Sequence, residues 1–269
     1  MAKLKVESDI AAEPIWRYMD FAKFVSFMHK GLWFSRCDKL DDPWEAFVEI
    51  RQYFPPWVPT AQELVCSMVS EHEARRNLPQ HLFVSCWHRS AQESVAMWKI
   101  YGMGAGVAIR STVDRFHRSL RRPDLAPGQF RCDLVDYDSD RRIVDDHSKT
   151  IQLSNDSYLR HAFFKRPHFR HEEEWRAVLY DERHPDRRDP EEQTGQFIAV
   201  EHNELVESVY VDPVAPPYFR PAVQEAIRRF DFSWEVQPSE IMATPAERSR
   251  AREEGRGGQR EVRAKKVKE

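Results

Sequence analysis

The chain has 269 residues, 41% hydrophobic with 8 Trp and 16 Phe, enough apolar material for a substantial core in one large α+β unit. The formal charge of −3 hides an asymmetry: residues 245–269 carry nine Lys/Arg against five Glu, so the preceding body is acidic, a poor footprint for clamping a long nucleic acid. Cys37, Cys66, Cys86 and Cys132 lie far apart without a C-x-x-C pair, which excludes a zinc ribbon and a secreted disulfide scaffold. No run approaches the ~20 apolar residues of a membrane span.

Pro14–Met19 reads as a strand, Asp20 as the N-cap of an amphipathic helix over Phe21–Lys30, and Gly31 as its stop before a second strand ending at Arg36. Lys39–Glu45 contains Asp-Pro and predicts a chain reversal, which places Asp41, Asp42 and Glu45 on a loop. A Pro-rich link leads to a helix from about Thr60 to Asn77. Leu82–Trp87 is rich in aromatic and β-prone residues and reads as a buried strand. Helical spacing follows over Glu93–Tyr101. Gly102, Gly104 and Gly106 then enter a strand at Val107–Arg110, the reverse of a dinucleotide fingerprint, which leaves a strand and opens a helix. A helix over Thr112–Leu120, a strand near Arg131–Tyr137 and a helix over roughly Ile143–Lys165 come next.

The densest chemistry lies in Phe164–Tyr180, where ionisable residues run directly into a strand. Alternation puts Glu172, Glu174 and Arg176 on one face and Glu173, Trp175, Ala177 and Leu179 on the other. Burying an unpaired carboxylate costs several kcal/mol, so the charged face must meet cations, a polar ligand or water. Beyond it, strands are expected at Phe197–Val200, Val206–Val211 and Trp234–Val236, with a helix over Arg220–Phe230. From about Pro245 the sequence has no aromatic and little apolar content. It predicts a disordered basic tail, available for nucleic-acid or protein contact, after a single domain over residues 1–244.

The polar punctuation forms a series: Arg17-Tyr18, Phe34-Ser35, Asp42-Pro43-x-Glu45, Ser85-Cys86-Trp87, Glu93-Ser94-x-Ala96-Met97-Trp98-x-x-Tyr101, Lys165-Arg166-x-x-Phe169 and Glu172-x-Glu174-Trp175-Arg176. It resembles a bacterial and phage-associated family known only as a domain of unknown function, from about Trp16 to Ser239. The order of Arg17, Ser85 and Glu172-x-Glu174 also resembles that of ADP-ribosyltransferases. That resemblance implies NAD as substrate, in a glycohydrolase or ADP-ribosyl transfer reaction of a growth-arrest or defence effector. In it Arg17 anchors NAD, Ser85 orients its ribose, Glu174 is the catalytic carboxylate and Glu172 positions or deprotonates an acceptor. The hydroxyl strand, Val-Ser-Cys-Trp, departs from the Ser-Thr-Ser of that class.

The expected fold is a single α+β domain with a mixed or split, mainly antiparallel sheet flanked by helices. Its cleft is lined by Arg17, Ser35, Ser85, Trp98, Tyr101, Lys165, Glu172 and Glu174. No metal, no membrane contact and a cytoplasmic location are expected. Plainer readings stand beside this one: Arg17 as an ion-pair partner of Glu174 or Glu45, Ser85 as a core filler, Trp98 and Tyr101 as core, and Glu93 as a first-turn acid. His161, His168 and His171 match no standard metal motif. Asp38, Asp41, Asp42 and Glu45 with Lys165 suit an alternative metal-dependent nuclease. A non-catalytic interaction module is the third class.

Overall fold

The computed structural model describes residues 10–42, 45–46, 77–121, 129–137, 159–183 and 193–242. The predicted helix at Thr60–Asn77 and the basic tail fall outside these, apart from Asn77 itself. The chain opens with β1 (Pro14–Asp20), α1 (Phe21–Lys30) and β2 (Leu32–Arg36). Asp20 caps α1 by accepting from the Lys23 amide, and Gly31 ends it at φ 100°, a conformation a side chain would strain. These boundaries follow the expected ones closely.

The remaining strands are β3 (Leu82–Arg89), β4 (Gly106–Thr112), β5 (Phe130–Leu134), β6 (Glu174–Tyr180), β7 (Gly195–Ile198), β8 (Ser208–Val211) and β9 (Val236–Gln237). Among the described residues these nine strands form one sheet, with central order β5-β6-β3-β1-β4-β8-β9 and β7 attached through β2. All pairs are antiparallel except β8–β9, so the fold is α+β with a mixed, mainly antiparallel sheet.

One edge of β3 is shared. Its start pairs with β2 (Ser35 opposite Val84), and its end with β1 (Trp16 opposite His88). The sheet therefore forks along β3, and Arg17 sits in the fork. Its guanidinium donates to the Ser85 hydroxyl, to the Cys86 carbonyl at 3.2 Å and to the Trp33 carbonyl at 3.1 Å, supplying hydrogen bonds that a neighbouring strand would otherwise give.

Register fixes the two faces. Ile15, Phe34, Phe83, Trp87, Ile109, Trp175, Ala177 and Val209 point to one side, into the main core. That core is covered by α1, α3 (Val113–Ser119) and α5 (Phe219–Arg229), with the short α4 (His202–Leu205) against α3. On the other face two smaller clusters flank a charged centre: Leu82, Val84 and Val178 with Leu159 and Phe163, and Trp16, Tyr18 and Ala108 with Met97 and Trp98.

Three local expectations change. Glu93–Tyr101 is not one helix but α2 (Val95–Met97), capped by Ser94, followed by a π turn over Trp98–Gly102 that ends on the left-handed Met103 (φ 48°). Of the helix expected over Ile143–Lys165, residues 143–158 lie outside the described residues, and His161–Phe163 is a 3-10 turn. Phe164 is extended and bridges Asp136, while Pro167 holds Arg166 extended. Glu172 lies not on the strand but at the end of a 3-10 helix (Pro167–Glu172), and left-handed Glu173 (φ 41°) turns the chain into β6. Among the described residues, no helix is long and apolar enough to cross a membrane.

Candidate functional site

Alternation along β6 directs Glu174 and Arg176 away from the main core, opposite His88 and Cys86 of β3. The kink at Glu173 then folds Glu172 back beside Glu174. Arg176 is 0% exposed and makes four hydrogen bonds: to Glu174, to both Glu45 carboxylate oxygens (2.7 and 2.9 Å) and to the Ala162 carbonyl (2.7 Å). Lys165 is the second cation. Its Nζ contacts Glu172, Glu174 at 2.8 Å and Glu45 at 3.3 Å, over the ring of Phe169. The five side chains are thus one network, all but closed to solvent.

Three carboxylates facing two cations leave one negative charge too many, and the excess falls on the outermost acid. Burial pushes the Glu172 carboxyl up to about 7, reinforced by a hydrogen bond and repulsion from Glu174 and opposed by Lys165. For Glu174 burial acts in the same upward direction, but Arg176, the hydrogen bond from Glu172 and Lys165 outweigh it and hold the carboxyl well below the usual range. Burial alone would depress the Lys165 ammonium; Glu174 and Glu45 reverse that and keep it charged. One carboxyl therefore exchanges a proton near neutrality, while its neighbour stays ionised.

Further contacts fix this pair. The Tyr101 hydroxyl donates to Glu172 Oε1 at 3.4 Å, and burial together with Glu172 pushes its phenol upward. The Tyr137 hydroxyl accepts from the Glu174 amide at 2.9 Å. His88 Nδ1 lies 2.7 Å from the Glu172 carbonyl, which can only accept, so the proton sits on Nδ1. His88 and Tyr137 were not anticipated. Alternation from Cys86 would have put His88 on this face, whereas nothing in the sequence marks Tyr137.

The structure brings together Tyr101, Lys165, Glu172 and Glu174 of the predicted set, and leaves the others apart. Ser85 is 0% exposed on the opposite face, pairs with Ala177, and receives hydrogen bonds from Arg17 and the Trp87 indole (3.1 Å). Arg17 lies on that face too; burial lowers its pKa, and its ion-pair role with Glu174 or Glu45 is taken by Arg176. Ser35 shares the charged face but accepts from the Trp33 indole at 3.0 Å. Trp98 is core, edge-on to Tyr18, with its indole on Glu93 at 3.1 Å. Tyr101 differs: it is 41% exposed, with its hydroxyl on Glu172 of the acid pair.

The loop acids proposed for a nuclease are engaged by protein cations: Asp38 by Arg36, Asp42 by Arg166, Glu45 by Arg176 and Lys165. Asp41 is exposed. A hollow of about 300 Å³ lies instead near α5 and β9, lined by Arg220, Gln224 and Phe232, and contains none of the predicted site residues.

A family described as a protein of unknown function, DUF2971, matches residues 97–177, from the end of α2 through the first half of β6. The resemblance expected from Trp16 to Ser239 is thus matched over residues 97–177 alone, the segment that holds Tyr101, Lys165, Glu172 and Glu174. Comparison with curated proteins and with solved structures gives no match.

Proposed function

We propose that the Tyr101–Lys165–Glu172–Glu174 face cleaves an N-glycosidic bond in a nucleotide, with NAD as the substrate and water or an acceptor nucleophile taking the ribosyl group. The observation that carries this reading is the placement of two carboxyls side by side, Glu174 clamped between Arg176 and Lys165 and Glu172 held by Lys165 and the Tyr101 hydroxyl. Breaking such a bond needs a fixed anion near the developing oxocarbenium ion and a second group able to accept the nucleophile's proton. Glu174, ionised and clamped by Arg176 and Lys165, supplies the first; Glu172, poised near neutrality, supplies the second. Tyr101, 41% exposed beside Glu172, is the aromatic residue against which a base would lie.

In this reading Glu172, rather than Glu174, exchanges the proton, and Arg17 and Ser85 hold the fork of the sheet instead of touching the substrate. The neighbouring order of β6, β3 and β1, which carry Glu174, the Ser85 hydroxyl and the Arg17 guanidinium, is compatible with the ADP-ribosyltransferase resemblance, although Glu172 precedes β6 and Ser85 and Arg17 lie on the sheet's other face. The competing reading, favoured by the complete pairing of Glu45, Glu174 and Arg176, is an ion network that only holds the sheet together.

The test is nicotinamide release from NAD by the full chain, alone and with protein or nucleic-acid acceptors. Wild type should release it, and Glu172→Gln should lower the rate by about 10²–10⁴-fold. No release under any of these conditions ends the NAD reading. Release unchanged in Glu172→Gln removes the acid pair from the mechanism.

A further inference from the structure

We infer that His88 is the positioning residue of the acid pair: its imidazole fixes the backbone corner from which Glu172 turns back beside Glu174. As a statement about catalysis this rests on the N-glycosidic reading. As a statement about where the Glu172 carboxyl sits and titrates, it does not.

The corner is a constrained piece of chain. Glu172 closes a 3-10 helix, Glu173 is left-handed (φ 41°, ψ 53°), and Glu174 is already strand. A residue other than glycine is uncommon in that region and persists where its surroundings over-determine it. Two of the fasteners come from the last two residues of β3. The Arg89 amide donates to the Glu173 carbonyl at 2.9 Å, and His88 Nδ1 donates to the Glu172 carbonyl at 2.7 Å. On the other side of the corner the Glu173 amide donates to the Arg170 carbonyl at 3.2 Å, and the Val135 amide to the Glu174 carbonyl at 3.0 Å.

A side chain takes this role because the ladder runs out. β3 and β6 pair in register only as far as His88 opposite Glu174. Beyond that point the Arg89 amide is used on Glu173 and the Ser90 amide on the Pro14 carbonyl at 3.2 Å, so the Glu172 carbonyl receives neither. Glu172 is buried, and a buried carbonyl needs a donor. His88, opposite Glu174 and 8% exposed, provides it. The His88 backbone is in turn held opposite Trp16 of β1, and its ring lies edge-on to Tyr18 with centroids 6.2 Å apart.

The imidazole grips the backbone and leaves the carboxyl to other groups. Those that meet it are Lys165, Glu174 of β6 and Tyr101 of the π turn, with Arg176 and Glu45 behind Glu174. Each of these contacts requires Glu172 to be folded inward. Without the His88 bond the corner loses the donor that directs it, and the side chain is released toward solvent, where a carboxyl is neither desolvated nor pressed against Glu174.

The experiment is ¹³C titration of the Glu172 carboxyl in the full chain, with two substitutions. His88→Phe keeps a ring and removes the donor; His88→Asn keeps an N–H near the place of Nδ1. In His88→Phe, Glu172 should titrate about one unit or more below its wild-type value of about 7, a tenfold or larger loss of proton affinity. His88→Asn should restore most of that shift. In wild type, long-range ¹H–¹⁵N correlation of the His88 ring should find the proton on Nδ1, a result that needs neither variant to fold. Where wild type releases nicotinamide, His88→Phe should lower kcat by about 10²-fold with little change in KM.

A Glu172 titration unmoved in folded His88→Phe overturns the inference, even where stability falls, because His88 would then be structural only. So does an equal shift in His88→Asn, or a His88 ring that carries its proton on Nε2 and not Nδ1. A wild type that releases no nicotinamide, with the titration shifted as expected, removes only the enzymatic reading.

Discussion

The two faces of the sheet are stabilised by different physics, although they share the same strands. On one face Phe116 packs edge-on against Trp87 and Trp175, ring centroids 5.6 and 4.9 Å away, with Ile15, Ile109 and Val209 in the same core. On the other, Lys165 and Arg176 hold Glu45, Glu172 and Glu174 in a buried network. Within β6 the switch occurs between adjacent residues, Trp175 to Arg176, both 0% exposed. Apolar burial is additive, tolerant and indifferent to pH; a buried ion network is directional, and fails when one member is removed.

That contrast is sharpest when both faces are cut at their centres. Arg176→Met should cost about 3–5 kcal/mol in chemical denaturation because Glu45 and Glu174 lose their cation, and Phe116→Ala a similar ~3–5 kcal/mol from the cavity it leaves. The second site separates them. Adding Glu45→Met and Glu174→Leu to Arg176→Met should recover part of the loss, since the orphaned charges go with their partner, whereas no further truncation near Phe116 restores that core. A triple variant weaker than the single one would mean that shape, not charge, holds the ionic face.

The next effect is a pH dependence confined to the ionic face. Folded Glu172 keeps its proton to about 7, against an ordinary value of 4.5, so between these limits the native state binds more protons than the unfolded chain. Its contribution to stability therefore falls as pH rises through that window, by on the order of 2–3 kcal/mol. Glu174 has the opposite sign: its depressed carboxyl stabilises above the unfolded value, and that stability is lost only in acid. Glu172→Gln should flatten the decline between pH 5 and 7, seen in urea midpoints across pH, while Phe116→Ala should leave its slope unchanged. The smallest effect is expected from Tyr101→Phe. Its 3.4 Å hydrogen bond is long and the residue is 41% exposed, so stability should change by less than about 1 kcal/mol, with the larger change in the titration of Glu172.

How much of this was legible in the sequence follows from what each signal measures. Periodicity and caps located α1, β1, β3, β4 and α5 closely, because Asp20, Gly31 and the alternating apolar residues act locally. Alternation likewise predicted that Glu174 and Arg176 share a face opposite Trp175 and Ala177. It misplaced Glu172, because a left-handed residue at Glu173 and the 3-10 turn before it break the two-residue period. Grouping Ser85 and Arg17 with the acids required knowing which face each strand turns inward, and that is set by non-local register: Ser85 lies opposite Ala177, on the side of the main core. The expected cleft therefore divides into a buried fork clamp and a smaller acid site.

The most direct measurement of the central claim is the titration of carboxyl carbons by ¹³C NMR, with Glu172→Gln and Glu174→Gln used to assign the two signals. One carboxyl, lost in Glu172→Gln, should titrate near pH 7, while the Glu174 signal remains that of an ionised group down into acid. If both carboxyls titrate together near their ordinary values, the acids are not driven apart, and the proton-exchanging site is refuted.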